Sequence, residues 1–185
     1  KVPADVLSAQ AVCLAESYLS GFQAVHCGQR APARYKANSL SGKSILVLGA
    51  FTNVGRAAIE LAEIAGATLI YAPCKQKQRR KIREMGATPL GVDQSEWVHL
   101  LQKKIDVIVD ATIDTGRDIN DYFGALHDDG DYILVGRSEE TVEEIISRQT
   151  RPSNVVCSNL KSRMMNRIHS YCVFEKWEYC LESCK

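Results

Sequence analysis

Several features are scarce in this sequence of 185 residues, and each scarcity excludes a class of protein. The formal net charge is only +1, from 23 Lys and Arg against 22 Asp and Glu. Bulk electrostatics therefore do not favour nucleic acid or an anionic membrane as a partner. No apolar run approaches the length needed to cross a bilayer, and no signal peptide is visible, although Lys1 is not a start methionine. We expect a soluble, cytoplasmic protein with no membrane span and no nucleic-acid partner.

Short chemical signatures are scarce as well. The elbow G-x-S-x-G of serine hydrolases and the P-loop pattern are both absent. The seven cysteines are an odd number without any C-x-x-C pair, so we predict free thiols in a reducing compartment. Near the end, His169 lies in a loose cluster with Cys172, Cys180 and Cys184, whose spacing is poor for zinc. We therefore predict no metal site, and no catalytic residue can be named.

What the sequence does contain is a strand, a turn and a helix between Ser44 and Gly66. The apolar run at residues 45–48 is short and partly β-branched, as in a strand buried on both faces of a parallel sheet. Apolar residues then recur at 54, 57, 58, 61, 62 and 65, which is one face of a helix. The turn between them begins at Gly49 and ends at Gly55. This combination is typical of the phosphate-binding half of a βαβ unit.

The turn departs from the usual G-x-G-x-x-G fingerprint, whose glycines would fall at positions 50, 52 and 55. Gly55 remains, at the position that lets helix and strand pack closely. Thr52 replaces the glycine that lets the backbone approach a phosphate. Its Cβ would hold a pyrophosphate away, unless its hydroxyl donates to a phosphate oxygen instead. On this motif alone, a doubly wound sheet that binds no nucleotide is an open alternative.

Strands and helices alternate along the rest of the chain. We predict strands at residues 45–48, 68–72, 89–92, 105–110 and 132–136, with a sixth at 155–157. Helices are predicted at 54–65, 75–85, 95–101 and 118–126, followed by a turn at 128–130. The alternation predicts an α/β fold: a doubly wound parallel sheet of Rossmann type in three layers, with N-terminal lead-in helices and a helical C-terminal tail.

The length fits a single domain with a real core. We divide it into lead-in helices and a loop at 1–40, a βαβ core at 43–136, and a final strand and tail at 137–185. Within the lead-in, a helix capped by Ser8 is predicted to break at Gly21, and a second helical stretch runs from Phe22 to His26. The tail carries an apolar stripe between residues 163 and 185, which is more typical of a core or an interface than of a cofactor site.

The end of the second strand distinguishes the two nicotinamide dinucleotides. In an NAD site, a carboxylate at this place holds the ribose 2′-hydroxyl. Residues 71–75 contain no acid, and Lys75, Lys77, Arg79 and Arg80 follow the strand. Cations attract a 2′-phosphate, so the pattern favours NADPH over NADH. The alternative is a solvated basic helix, which such charge runs usually form.

The ordered series of segments resembles the nucleotide-binding domain of zinc-independent medium-chain dehydrogenases/reductases of the quinone oxidoreductase type. The resemblance runs from Val2 to about Gly136. It includes Y-L-S-G-F-Q-A at 18–24, the phosphate turn, M-G-A-T at 85–88, D-V-I-V-D-A at 106–111 and G-D-Y-I-L-V-G at 130–136. Members of that family usually have G-G-V-G where this chain has T-N-V-G at 52–55.

The resemblance implies a cofactor domain that uses NADPH to transfer hydride to a small-molecule quinone, enone or similar carbonyl acceptor. It implies that the substrate-binding domain is absent from this chain, so the isolated chain is expected to be inactive, and it allows a homodimer. Together with the motif and charge arguments, it places cofactor contacts at Gly49, Thr52, Asn53, Val54, Gly55, Cys74, Lys75, Arg79, Ala111, Thr112, Val135 and Gly136. The alternative, which Thr52 favours, is a degenerate Rossmann domain that binds nucleotide weakly or not at all and acts as an interaction module.

Overall fold

Six parallel strands form one sheet in the computed structural model, which describes residues 17–27, 38–112, 120–135 and 154–158. The strands are β1 Ser44–Leu48, β2 Leu69–Pro73, β3 Thr88–Leu90, β4 Ile105–Asp110, β5 Leu126–Val135 and β6 Asn154–Ser158. Their order across the sheet is β3-β2-β1-β4-β5-β6, and every neighbouring pair is parallel. Chain order therefore reverses at β1, as in a doubly wound sheet.

Helices lie on both faces of this sheet. They are α1, which is α-helical over residues 17–22 and continues as the π-helical turn Gln23–Cys27, α2 Asn53–Ile64, α3 Arg79–Glu84 and α4 Asn120–Phe123. One hydrophobic cluster contains buried residues of α1, α2 and α3, such as Val25, Ile59 and Ile82. A second cluster, with Trp97 and Phe123, covers the other face. The predicted three-layer Rossmann fold is confirmed.

The central strands follow directly from their composition. All five residues of β1 are buried, and β4 is buried except for the half-buried Asp106. A strand covered on both faces has no polar side to alternate with, so it reads as an unbroken apolar run. The predicted bounds of β4 are the observed ones, and those of β1, β2, β3 and β6 differ by at most a residue or two.

The predicted break at Gly21 is wrong, because the helix continues through it. A Cβ at Gly21 would lie 3.1 Å from the Cβ of Ala57 and 3.2 Å from the backbone nitrogen of Ala58, both on α2. Gly21 therefore allows two helices to approach closely and does not end one. The Tyr18 hydroxyl donates to the Glu60 carboxylate across the same contact.

Two other helix predictions need correction. Residues 95–101 do not form a helix: a short 3₁₀ turn at Gln94–Glu96 is followed by further turns. There the Asp93 carboxylate accepts from the Ser95 backbone N–H, and the Trp97 indole donates to the Gly91 carbonyl at 3.0 Å. These bonds offer the backbone local partners outside a helix. The basic stretch is also divided, into a 3₁₀ turn at Gln76–Gln78 and α3.

The region before the fifth strand differs most from the prediction. The helix predicted at 118–126 is described only as α4, and β5 begins at Leu126 and continues through the predicted turn at 128–130. Leu126 pairs with Ile105, and the register shifts between Ile105 and Val107. A Cβ at Gly130 would lie 2.9 Å from the Asp106 carbonyl oxygen, so a glycine allows the strands to stay close at this irregularity. The exposed polar residues His127, Asp128 and Asp129 resemble a turn in the sequence, but they belong to the strand.

The helix capped by Ser8, Gly136 and the apolar stripe of the tail lie outside the described residues. None of the helices in the described ranges is long and apolar enough to cross a membrane.

His26 is a buried titratable group on the α1 face of the sheet. Its Nδ1 lies 2.9 Å from the Ser39 hydroxyl, and its ring lies 4.5 Å from that of Phe22. Burial disfavours the imidazolium and lowers the pKa of His26 from 6.5 to about 4. The folded protein therefore holds this side chain neutral at pH values where an unfolded chain would protonate it.

We expect stability to fall as the pH drops from 6.5 towards 4, because the unfolded state binds a proton at His26 that the folded state does not. The limiting slope for one such group is about 1.4 kcal/mol per pH unit. Urea unfolding between pH 7 and 5 should show this slope, and His26→Gln should flatten it. An equally steep pH dependence in the variant would contradict the assignment to His26.

Candidate functional site

The residues predicted to contact a cofactor meet at the carboxyl edge of the sheet. Those from Gly49 to Gly55 follow β1, Cys74 and Lys75 follow β2, Ala111 and Thr112 follow β4, and Val135 ends β5. Because these strands are parallel and adjacent, their ends lie side by side. This edge, at the point where strand order reverses, is where doubly wound sheets bind ligands.

Two glycines allow the β1–α2 turn to approach its neighbours. Gly49 has φ +76°, and a Cβ there would lie 2.8 Å from the carbonyl oxygen of Ala111 at the end of β4. A Cβ at Gly55 would lie 2.2 Å from the Gly49 carbonyl oxygen, which no real contact permits. The role predicted for Gly55, close packing of helix on strand, is therefore what its surroundings require. The turn, the start of α2 and the end of β4 form one tightly packed unit.

Thr52 is the N-cap of α2. Its backbone is extended, with φ −72° and ψ 159°, so this position does not need glycine for conformational reasons. Its hydroxyl oxygen accepts from the Gly55 N–H at 2.9 Å, and its hydroxyl proton goes to the Gly49 carbonyl at 2.9 Å. The cap was not predicted from the sequence, although threonine just before an amphipathic helix is a known capping signal.

The cap determines which backbone donors remain at the start of α2. The Thr52 N–H donates to the Gly49 carbonyl at 2.9 Å, and the Gly55 N–H donates to the Thr52 hydroxyl. Helix geometry leaves the N–H groups of Asn53 and Val54, its first two residues, without an intrahelical acceptor. These amides and the positive end of the helix dipole favour an anion at this turn.

Cys74 lies in the core at the end of β2. The residue is 5% exposed, and its N–H donates to the Leu90 carbonyl of β3 at 3.1 Å. Burial raises the pKa of the Cys74 thiol, although Arg79 and Arg83 act in the opposite direction. The thiol is therefore a packed, protonated group at neutral pH.

The basic residues after β2 have different environments. Arg79 is half-buried, and its guanidinium donates to the Pro89 carbonyl at 3.1 Å. Arg80 pairs with Glu84 at 2.9 Å on the exposed side of α3. Lys75 and Lys77 have exposed side chains, and the Lys75 N–H donates to Gln78 Oε1 at 3.2 Å. No Asp or Glu occurs in residues 69–80, so cations alone surround the end of β2 in sequence.

A buried carboxylate at the end of β4 was missed by the sequence reasoning. Asp110 Oδ1 accepts from the Thr112 N–H at 2.9 Å and from the Thr112 hydroxyl at 2.5 Å. Asp110 Oδ2 accepts from the Tyr132 hydroxyl of β5 at 3.1 Å. The signal in the sequence is an acid at the end of a strand whose other residues, apart from Asp106, are apolar. The cluster fixes Ala111 and Thr112 beside the phosphate turn.

The described ranges contain no group of three or more His, Cys, Asp or Glu side chains that could hold a metal ion. The loose cluster of Cys172, Cys180, Cys184 and His169 lies outside those ranges. The absence of a metal site therefore stays a prediction for the chain as a whole.

Strand order, the glycine-containing turn after β1 and helices on both faces define a doubly wound domain of the dinucleotide-binding class. A family model described as zinc-binding dehydrogenase matches residues 53–181, and the chain belongs to this family. The match confirms the resemblance to the cofactor-binding domain of medium-chain dehydrogenases/reductases.

Solved structures of this class have the same fold. JamJ enoyl reductase in its apo form aligns with a TM-score of 0.73 and 19% identity over 98% of this chain and 53% of that chain. A probable oxidoreductase from Mycobacterium abscessus aligns with a TM-score of 0.68 and 20% identity, over 98% of this chain and 52% of that chain. CurK enoyl reductase aligns with a TM-score of 0.68 and 17% identity, over 90% of this chain and 49% of that chain. The chain spans about half the length of these proteins.

Replacing Thr52 by Val should destabilise the fold, because it removes both the acceptor for Gly55 and the donor to Gly49. Loss of an N-cap typically costs about 0.5–2 kcal/mol, and we expect a value near 1 kcal/mol. Thr52→Ser keeps the hydroxyl and should remain close to the parent. Urea unfolding midpoints measure the difference, with the exposed Thr68→Val as the matched control. Equal midpoints for Thr52→Val and the parent would show that the cap contributes nothing.

Proposed function

We propose that this chain binds NADPH and is the cofactor domain of an oxidoreductase that transfers hydride to a quinone, an enone or a similar carbonyl acceptor. The observation that carries the proposal is the α2 N-terminus, whose Asn53 and Val54 amides would favour an anion. The neighbouring strand β2 ends in a stretch, residues 69–80, whose charged residues are all cations. The bound dinucleotide would supply the hydride. The protein would supply binding and orientation.

The residues at this edge fit a phosphorylated dinucleotide. The glycines at 49 and 55 keep the turn close to β4, so the Asn53 and Val54 N–H groups lie at the carboxyl edge, where a pyrophosphate would bind. Lys75 and Lys77 are exposed and lie just past the end of β2, where a 2′-phosphate would need positive charge. Arg79 adds charge nearby while bonded to Pro89. A carboxylate at this place would repel the same phosphate.

The acceptor class is supported by family and by the neighbouring structures, two of which are named as enoyl reductases. Reduction of an enone and of an enoyl group share one demand, a hydride delivered to a carbon conjugated with a carbonyl. The isolated chain spans about half of those proteins, and we propose that it binds the cofactor without reducing an acceptor. The zinc-independent quinone reductase type belongs to the same proposal.

A second candidate function is favoured by the Thr52 cap. The Gly55 N–H could donate to a phosphate oxygen, but it already donates to the Thr52 hydroxyl inside the protein. A site with fewer free amides binds an anion less strongly, since each charge-assisted bond contributes. In this second candidate the chain keeps the Rossmann fold, binds nucleotide weakly or not at all, and acts through a protein partner.

We expect NADPH to bind more tightly than NADH, with a difference that shrinks as salt rises, because exposed lysines are screened. Lys75→Gln combined with Lys77→Gln should weaken NADPH binding about 5-fold or more and leave NADH almost unchanged. Isothermal titration at low and high salt measures both effects. Lys104→Gln, which precedes β4 at the opposite edge, is the matched control. Equal affinities for the two dinucleotides at low salt would contradict the proposed cofactor.

Thr52→Gly separates the two candidate functions. It removes a Cβ from the phosphate turn and frees the Gly55 N–H, while glycine as an N-cap costs only a few tenths of a kcal/mol. We expect this variant to bind NADPH more tightly than the parent, and Thr52→Ser to bind like the parent. Weaker binding by Thr52→Gly with retention by Thr52→Ser would mean that the hydroxyl itself contacts phosphate. No binding by any of the three proteins would favour the interaction module.

A further inference from the structure

The outer face of α3 carries positive charge that the proposed function does not use. We define this face by its exposed cations Arg80, Lys81 and Arg83, while Ile82 between them is buried. Six of the 23 Lys and Arg lie within residues 75–83, which contain no Asp or Glu. The other 17 are set against all 22 acids, so the remainder of the chain is net acidic. Positive charge is therefore concentrated on one short segment.

The charges of α3 are arranged against the stability of the helix. Its first three residues, 79–81, are all basic, although the positive end of the helix dipole disfavours cations there. Arg79 and Arg83 are four residues apart, a spacing at which like charges on a helix repel. The acid of the helix is Glu84, which pairs with Arg80 at 2.9 Å. Charges that oppose the local fold in this way are typical of a surface kept for binding.

Lys81 and Arg83 are open to a partner. Both side chains are exposed, and among the described residues neither makes a hydrogen bond or an ion pair. The helix packs beside β3, which lies at the edge of the sheet. The nearest acid of another element is Glu63 of α2, whose carboxylate lies 3.3 Å from where a Cβ would stand at Gly86. That position is past the end of α3, so the two cations keep their charge exposed to solvent.

The surroundings of this face favour a short acidic peptide segment over other anionic partners. The helix has no exposed apolar side chain that could enter a membrane, since Ile82 is buried and Met85 after it is half-buried. The aromatic residue of 69–92 is the half-buried Tyr71, so the bases of a single-stranded nucleic acid would lack a stacking surface. A long polyanion would also extend over the acidic remainder of the chain and be repelled there.

The spacing of the cations suits carboxylates on one side of an extended chain. Residues three apart on a helix, such as Arg80 and Arg83, have Cβ atoms about 5–6 Å apart. Alternate side chains of an extended peptide point to the same side and repeat at about 6.4–6.8 Å. We propose that the outer face of α3 binds an extended acidic segment of a partner protein, with acids at alternate positions. The inference does not depend on NADPH, because none of these three cations except through neighbouring charge is assigned to the cofactor.

The probe for this contact is a fluorescent peptide of about ten residues in which Glu alternates with Ser, long enough to span α3 when extended. The control peptide has Gln in place of Glu. We expect the parent chain to bind the Glu peptide at low salt, to bind it less as salt rises, and not to bind the Gln peptide. Fluorescence anisotropy measures each affinity.

Charge removal on α3 locates the contact. Lys81→Gln combined with Arg83→Gln should weaken binding of the Glu peptide about 5-fold, the combined effect of two exposed ion pairs. Lys103→Gln combined with Lys104→Gln removes the same charge from exposed positions just before β4 and should bind the peptide like the parent. Equal weakening by the two double variants would show an effect of net charge alone and would overturn the inference.

The same variant has a second readout in stability. Lys81→Gln with Arg83→Gln relieves repulsion on α3, so its urea midpoint at low salt should be higher than that of the parent, while peptide binding falls. A lower midpoint would mean that these cations serve the fold, and the inference would then be wrong. Its affinity for NADPH should stay that of the parent.

Other outcomes would assign the face differently. Tighter binding of an RNA of about ten nucleotides, or of vesicles that contain phosphatidylserine, would overturn the proposed class of partner. Self-association of the chain that the Lys81→Gln and Arg83→Gln changes abolish would make the partner a second copy. No binding of the Glu peptide by the parent at low salt would overturn the inference outright. A parent chain that binds the peptide but not NADPH would contradict the proposed function alone.

Discussion

The arrangement of backbone groups at the carboxyl edge of this sheet depends on how closely the first turn of α2 approaches the ends of β1 and β4. A Cβ at Gly55 would lie 2.2 Å from the Gly49 carbonyl oxygen, and a Cβ at Gly49 would lie 2.8 Å from that of Ala111. Interiors packed at this density have no room to absorb even a methyl group without moving backbone. A side chain at either glycine would push the helix or the end of β4 away. The amides of Asn53 and Val54 would then be displaced from the carboxyl edge.

Within that turn, the Thr52 hydroxyl stabilises the fold, and it would compete with a phosphate bound there. Thr52 accepts from the Gly55 N–H and donates to the Gly49 carbonyl, so the turn is closed by its own side chain. A phosphate oxygen would accept from the same N–H, and both cannot hold it at full strength. An interaction that stabilises the fold at a binding site commonly lowers activity there, and residues that favour activity commonly lower stability. Thr52 in place of the fingerprint glycine therefore gives the Gly55 N–H an acceptor inside the protein, in the place of the phosphate oxygen that it would otherwise bind.

The class of fold was predictable because it depends on hydrophobic patterns that can be recognised within short stretches of sequence. The buried central strands are mostly apolar in sequence, and the alternation of strands with amphipathic helices implies parallel order. The errors occurred where the structure depends on a distant partner. In the sequence Gly21 resembles a helix breaker, but in the structure it is the residue that lets α2 pack closely against α1. Trp97 fits a helical pattern in the sequence, but its indole donates to the Gly91 carbonyl in a non-helical segment. Leu126 begins a strand whose exposed polar residues look like a turn in the sequence. One of the partners of Asp110 is Tyr132, which lies 22 residues further along the chain on the next strand.

The number of cations that follow β2 overstates how many of them could bind a phosphate. Arg79 donates to Pro89 and Arg80 pairs with Glu84, so two of the four nearest cations have partners in the protein. Arginine offers a rigid fork that matches phosphate geometry, whereas a lysine ammonium is a compact, strongly hydrated point charge. Lys75 and Lys77 are exposed, and a phosphate beside them would be attracted by charge and little constrained in orientation. Selection of a 2′-phosphate by this strand end would therefore depend on ionic strength more than on shape.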